Sequence, residues 1–479
     1  MNLRSFLEKH RTALLALVPV LLVGTVIRCA FVLRTTLSEF DPWRHLQLLR
    51  NLQSGAGFTL FDGQPYIWYN EAWYLLAVWL GGAGGALWVS CALSILSIVL
   101  YFVFVLRAEH SLETANATGL LLAAFGPAVA FASTYGAESF ALCLVISAWV
   151  LATFERSRLA VFAAGALFGL AVVSRLNFAF NLFLFLPFLR DRRRWLPIAG
   201  GLVIAPVVTW WSNHRVIEEH AWLFTWDGLA TRTSDYGLLS TLVPQLHPAV
   251  AAATKTLYER TRPVPFDLLE GGHVVWGNAF FLVAGVLGIA LSRRWTLALA
   301  GVVPLVFFTV FDHTLSSNFF RHDLAVFPAF FLGIVLAARR FAAHPGRGRP
   351  LVVPGVVAAV VVSGARYLRP RPVVPVEAVT PPASLVEHDR YMVNGGFYHP
   401  ESLAYRFPDK RFIGLPLTPD EFDDFAGQFP EYSEILWHKQ FSVQDALLHF
   451  LLDTGRYRVE KSVRNEAGAP YLLLTAQRP

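Results

Sequence analysis

Residues 159–194 read LAVFAAGALFGLAVVSRLNFAFNLFLFLPFLRDRRR. The stretch from Leu159 to Leu189 is apolar almost throughout, and its reading sets the side on which every later loop lies. A single tilted crossing would carry Arg190, Arg192, Arg193 and Arg194 to the side opposite Arg156 and Arg158. A hairpin turning at Ser174-Arg175-Leu176-Asn177 keeps all six together, as the bias of Lys and Arg toward the cytoplasmic side requires. Its arms, 159–174 and 177–189, are shorter than the ~20 residues of a full helical crossing. The turn is therefore expected below the membrane surface, facing a wet cavity or packed in protein.

Working outward, apolar stretches recur at 12–33, 86–106, 116–134, 137–154, 196–212, 274–291, 296–311, 323–338 and 350–367. With the two arms of the hairpin they predict an all-α membrane bundle of about eleven transmembrane helices. The connectors holding Arg107, Arg293, Arg294, Arg339, Arg340, Arg347 and Arg349 then fall on the side of the basic N-terminus. Composition agrees: 55% of the 479 residues are hydrophobic and 15% charged, with a mean hydropathy of +0.47. Those figures exclude a soluble globular protein and a disordered chain, since soluble domains carry about 25% charged residues. The formal charge of +6 is scattered between apolar runs, which argues topology and no nucleic-acid partner. Cys29, Cys91 and Cys143 each lie inside an apolar run and form no zinc or disulfide pattern.

The domain reading is a membrane part over 1–368 with outer loops at 34–85 and 213–273, a Pro-rich linker at 369–384, and a soluble α/β domain at 385–479. In that last domain Arg411–Leu415 and Tyr471–Thr475 read as strands and Ser442–Thr454 as a helix. The N-terminus is predicted cytoplasmic and the C-terminal domain extracytoplasmic, in a bacterial inner membrane.

Directly after the first span comes Glu39-Phe40-Asp41-Pro42-Trp43-Arg44-His45. Pro42 suits the first turn of a helix and Asp41 its N-cap. Asp41 and His45, four apart, would share one face, so an acid and an imidazole could address one substrate group. The competing reading makes Asp41 a cap and His45 an interfacial residue. Arg28, near the outer end of the first span, is expected to snorkel to water.

These stretches together resemble the GT-C membrane glycosyltransferases. The opening span, the acidic segment, Gly55-Ala56-Gly57-Phe58-Thr59 and Pro65-Tyr66-Ile67-Trp68-Tyr69 are similar to the beginning of that superfamily. Gly165–Ala171 followed by Ser174-Arg175 is similar to its short-helix hairpin, and Arg321-His322-Asp323 with Phe327-Pro328 to its Arg-containing outer end. Glu39–Trp43 resembles the first acidic motif of oligosaccharyltransferases. Ser133–Glu138 is similar to their second, with Gly136 where that family has an acid. The Gly-Phe-Thr and Tyr-Ile-Trp-Tyr segments and the short tail look more like the protein O-mannosyltransferase and aminoarabinose-transferase branch, which uses single sugars on polyprenyl phosphate.

The resemblance implies transfer of a sugar from a polyprenyl-phosphate donor to a lipid, glycan or protein acceptor, with Asp41 as general base and His45 beside it. The donor phosphate needs cations at the outer depth of the bilayer, and Arg175 and Arg321 are the candidates. Glu39, Glu138, His313 and His322 are supporting or metal-binding candidates, with a divalent Mg, Mn or Zn as the candidate cofactor. An oligosaccharyltransferase using a lipid-linked oligosaccharide, and a flippase or transporter, are the competing functions.

Overall fold

The computed structural model describes residues 3–34, 40–55, 57, 72–132, 136–154, 157–190, 192–216, 264–266, 273–275, 277–311, 322–343, 349–368 and 380–394, and 403–477 apart from 405, 408, 417–418, 439–444, 466–467 and 469. It is mostly helical with a small mixed sheet near the C-terminus. The chain divides into two units. One comprises Met1–Arg34, Tyr69–Trp73 and Leu87–Arg369; the other Thr35–Trp68, Tyr74–Ala86 and Pro370–Pro479.

In the first unit the helices are α1 (Leu3–Arg34), the later part of α3 (Ala72–Glu109), α4 (Leu112–Ala124), α5 (Gly126–Ala132), α6 (Glu138–Ala152), α7 (Arg158–Ser174), α8 (Trp195–Val216), α9 (Gly277–Ser292), α10 (Trp295–Phe311), α11 (Phe327–Ala343) and α12 (Arg349–Ser363). Among the described residues two apolar segments, Arg11–Arg34 and Gly84–Glu109, are long enough to cross a membrane by length and composition. The outward faces carry Leu15, Leu22, Leu33, Leu196 and Leu287, all more than half exposed. An exterior this apolar suits acyl chains and would aggregate in water.

The hairpin turns where the sequence predicts. α7 ends at Ser174, and Arg175 is its C-cap with extended backbone, φ −154° and ψ 105°. The second arm, Leu176–Arg190, is a 3-10 helix of 15 residues. At about 2.0 Å per residue it rises roughly 30 Å, against roughly 22 Å for an α-helix of that length, so the short arm reaches the thickness of a bilayer core. Gly165 and Gly169 let α7 lie against α8: a Cβ on either would collide with the carbonyl of Ile198 or Leu202. Small residues four apart at such a contact let two helix backbones touch, which gives the Gly-rich motif a packing role.

The apolar segment 116–134 is not one helix. It breaks at Phe125, the C-cap of α4, with φ −68° and ψ 117°. The following Gly126-Pro127 accounts for the break, since Pro127 has no N–H for the carbonyl of Ala123. Phe125 is locked among Phe281, Phe327 and Phe331 with ring centroids 4.4, 5.4 and 5.6 Å away. Arg28 supplies the missing donors and does not snorkel. It is fully buried. Its Nη1 donates to the carbonyl of Ala123 at 2.7 Å, Nη2 to that of Leu122 at 2.8 Å, and Nε to Ser94 Oγ at 2.6 Å. A guanidinium with its donors in a planar fork thus caps a helix broken in another part of the chain.

The basic connectors gather at one end of this unit. Arg294 forks onto the carboxylate of Glu109. Arg339 reaches Glu113 at 3.4 Å and Thr114 Oγ1 at 2.6 Å. Arg107 donates to Thr153 Oγ1 at 2.6 Å and Arg340 to the carbonyl of Leu291 at 2.6 Å. α6 ends and α7 begins at this basic end, which puts the start of α6 and the end of α7 at the other.

In the second unit α2 (Phe40–Gln53) precedes the first part of α3, which bends at Gly82 with φ 63°. Its C-terminal part is a five-stranded sheet of β3 (Arg390–Val393), β4 (Arg411–Gly414), β5 (Glu434–His438), β6 (Tyr457–Arg464) and β7 (Pro470–Ala476), in the order β4-β3-β5-β7-β6. β1 (Val264–Phe266) and β2 (His273–Val275) form a separate antiparallel pair in the first unit. β3 runs parallel to β4 and β5, and β7 antiparallel to β5 and β6. Strand alternation sends Met392, Ile435, Trp437, Leu472 and Leu474 into one core with α13 (Phe422–Gln428) and α14 (Asp445–Asp453). Tyr391, Val393, Leu436, Tyr471 and Leu473 enter a second core on the opposite face. β4 and α14 fall within stretches predicted for those elements, and β7 contains the predicted Tyr471–Thr475 and extends one residue beyond it at each end; β3, β5 and β6 do not correspond to any prediction.

Candidate functional site

The end of the first unit away from the basic connectors is where two of the predicted residues meet. α6 starts at Glu138, and burial of its following residues Phe140, Ala141 and Leu142 in the core holds that start in place. α7 delivers Arg175 as its C-cap, tied by its N–H to the carbonyl of Ala171 at 2.9 Å. Arg175 Nη2 and Glu138 Oε1 form an ion pair, with 8% and 3% of the two side chains exposed. The carboxylate also sits in the first turn of α6, where the helix dipole favours negative charge. Glu138 is thus more than a helix cap: it is an ion-pair partner of Arg175.

Next to it, Ser139 is 1% exposed and its Oγ has no hydrogen-bond partner among the described residues. The N-cap Ala137 brings no side-chain cap to α6. Sequence reasoning did not single out Ser139, and a serine in an apolar run carries no signal beyond its polarity.

The second unit holds the other part of the prediction. α2 begins at Phe40, two residues earlier than an N-cap at Asp41 requires, so Asp41 and Pro42 both lie in its first turn. A proline is tolerated throughout the first turn, where its missing N–H would have no partner, and so does not by itself locate the cap. Positions 41 and 45 are one helical turn apart on one face, as predicted. His45 is 1% exposed, and its Nδ1 lies 2.6 Å from Tyr74 Oη in the first turn of α3. The two rings are tilted by 39° with centroids 5.6 Å apart. Tyr74 fixes the imidazole's orientation, and nothing in the local sequence announces a partner 29 positions away.

Glu39, His313 and Arg321 lie outside the described residues. His322 opens a short 3-10 turn, His322–Ala325, which precedes α11. Among the described residues no three His, Cys, Asp or Glu side chains converge as a metal site. Of the metal candidates, Glu138 pairs with Arg175.

No family model matches the sequence, and no curated protein matches it. Solved structures do. ArnT from Cupriavidus metallidurans, bound to undecaprenyl phosphate, superposes with a TM-score of 0.57 at 14% identity over 97% of this chain and 98% of its own. The chain has the GT-C fold. The archaeal oligosaccharyltransferase AglB from Archaeoglobus fulgidus, in complex with an inhibitory peptide and a dolichol phosphate, also shares it. That match has a TM-score of 0.51 at 14% identity, covering 97% of this chain and 74% of AglB. The apo form of the A. fulgidus oligosaccharyltransferase matches at 0.50 over 89% of this chain. At this identity the likeness is one of fold, and the roles of individual residues rest on the geometry above.

Proposed function

We propose that this GT-C protein is an integral-membrane glycosyltransferase that takes a sugar from a polyprenyl-phosphate donor and passes it to an acceptor hydroxyl or amine on the extracytoplasmic face. The observation that carries the reading is a fold shared along its full length with a protein that binds undecaprenyl phosphate, joined to a buried arginine at the end opposite the basic connectors. With those connectors cytoplasmic, Arg175 lies at the depth where the phosphate of a bilayer-embedded donor would sit.

In the mechanism, Asp41 takes the proton of the acceptor as its oxygen or nitrogen forms a bond to the anomeric carbon. The bond from that carbon to the phosphate oxygen breaks, and its electron pair leaves on the polyprenyl phosphate. Displacement from the opposite face inverts the carbon. Arg175 and Arg321 stabilise the charge that grows on the leaving phosphate. His45, held by Tyr74, shares the face of α2 that carries Asp41 and orients the acceptor. The match to nearly all of ArnT supports a single-sugar donor over the oligosaccharide alternative.

The test is turnover of a panel of polyprenyl-phosphate sugars by the purified full-length protein, following release of polyprenyl phosphate. Wild type should release it and Asp41→Asn should not, with donor affinity nearly unchanged. Release by both would remove Asp41 from the mechanism, and binding of pyrophosphate-linked oligosaccharides alone would move the assignment to the oligosaccharyltransferase branch.

A further inference from the structure

We propose that Glu138 is a resident counter-ion that holds Arg175 in the donor-free protein and yields it when a lipid phosphate arrives. This rests on the reading of Arg175 as the cation for the donor phosphate. The argument begins with cost. A guanidinium 8% exposed near the end of a bundle is expensive to keep without an anion, so a buried phosphate site must be filled by something when the lipid is absent. Glu138 fills it, on a side chain whose backbone is anchored in the first turn of α6.

Three features around the pair suit an anion with more oxygens than a carboxylate. The N-terminus of α6, a helix of 15 residues, lacks a side-chain cap at Ala137, and the positive end of its dipole favours phosphate. Ser139 Oγ is buried and has no hydrogen-bond partner among the described residues, leaving an unused donor on the residue after Glu138 in the first turn of α6. Arg175 is the C-cap of α7, where the backbone turns extended after a last N–H bond to the carbonyl of Ala171, so its side chain leaves the helix at its end. A phosphate drawn to these groups meets Glu138 as a like charge on the same guanidinium. The carboxylate must then swing away or accept a proton, and either change lowers the net affinity for the lipid.

The exchange also has a direction in the reaction. The donor is a phosphodiester with one negative charge. The leaving polyprenyl phosphate is a monoester carrying about −1.5 to −2 near neutral pH. A carboxylate competing for Arg175 disfavours the more highly charged product and so assists its departure.

The experiment measures equilibrium binding of undecaprenyl phosphate in detergent micelles, with inorganic phosphate as a second probe, for wild type, Glu138→Gln and Arg175→Ala. Multiple-turnover progress curves are recorded alongside. Expected are about tenfold tighter lipid binding by Glu138→Gln, stronger product inhibition in its progress curves, and loss of binding in Arg175→Ala. If Arg175→Ala weakens binding while Glu138→Gln leaves it unchanged or weaker, the counter-ion exchange is overturned and the phosphate role of Arg175 stands. If Arg175→Ala binds as wild type does, the reading of Arg175 itself fails. Should Glu138→Gln not fold, Glu138→Asp keeps the charge on a shorter stem: tighter lipid binding supports the exchange, and weaker binding overturns it. Binding of inorganic phosphate with the same pattern would identify the seat as a phosphate site independent of the lipid tail.

Discussion

Replacing Arg28 by Met keeps an unbranched apolar stem and removes the guanidinium, so it isolates the cap on the broken helix. Three hydrogen bonds are lost, to Ser94 Oγ and to the carbonyls of Leu122 and Ala123. The hydroxyl can turn to another acceptor, but the carbonyls cannot reach a new donor: the chain departs from the helix at Phe125 and Pro127 has no N–H. Each orphaned buried acceptor costs about 1–3 kcal/mol, giving roughly 2–6 kcal/mol for the two. Release of a buried cation from its desolvation penalty offsets part of this, and we expect a net loss of about 3 kcal/mol. The assay is reversible unfolding by SDS titration in mixed micelles. A second substitution sharpens it, because Pro127→Ala restores the N–H that a continuous helix would aim at Ala123. The cost of Arg28→Met should fall by about 1 kcal/mol in that background, as coupled neighbours do. A loss below about 0.5 kcal/mol for Arg28→Met, the range of an ordinary surface change, would refute the capping argument and return Arg28 to the snorkelling role.

Gly169→Leu should force α7 and α8 apart, destabilise the protein by about 1–3 kcal/mol and lower thermal stability in detergent; an unchanged melting temperature would count against the backbone contact. Tyr74→Phe should cost about 0.5–1.5 kcal/mol of stability through loss of the bond to His45, and should lower turnover with little change in donor affinity. Turnover equal to wild type would remove His45 orientation from the mechanism. In the C-terminal sheet, burial pushes the hydroxyls of Tyr391 and Tyr457 up to about 12 from an ordinary 10, and raises Tyr471 further. Groups raised in the folded state contribute stability that is complete below pH 10 and is lost as pH climbs through their folded values. This part of the chain should therefore unfold between about pH 10 and pH 12 with simultaneous tyrosine ionisation. Tyrosine titration well before loss of β circular dichroism would contradict it.

Much of the helical plan was legible because a bilayer imposes local demands. Each segment needs its own apolar length, and the arginines between segments mark one side, so residues 86–106, 159–174 and 296–311 could be read singly. The turn at Ser174-Arg175 followed from the same charge count over Arg190, Arg192, Arg193 and Arg194. In the C-terminal sheet, β4 and β7 carry enough β-branched and aromatic character to be read, whereas β5, Glu434–His438, is a run of five whose strand state comes from pairing with β3 and β7. Its propensity alone is ambiguous.

The sequence by itself determined a membrane bundle, the positions of its apolar segments, the basic end, and the placement of Asp41 and His45 one turn apart on α2. Only the tertiary structure decided which polar groups meet. Arg28 finds carbonyls about 95 positions away, Arg175 finds Glu138 across 37, and His45 finds Tyr74 across 29. The physical reason is that hydrophobic length is a property of neighbours in the chain. A buried polar atom must instead be satisfied by whatever donor or acceptor the packed helices bring within about 3 Å.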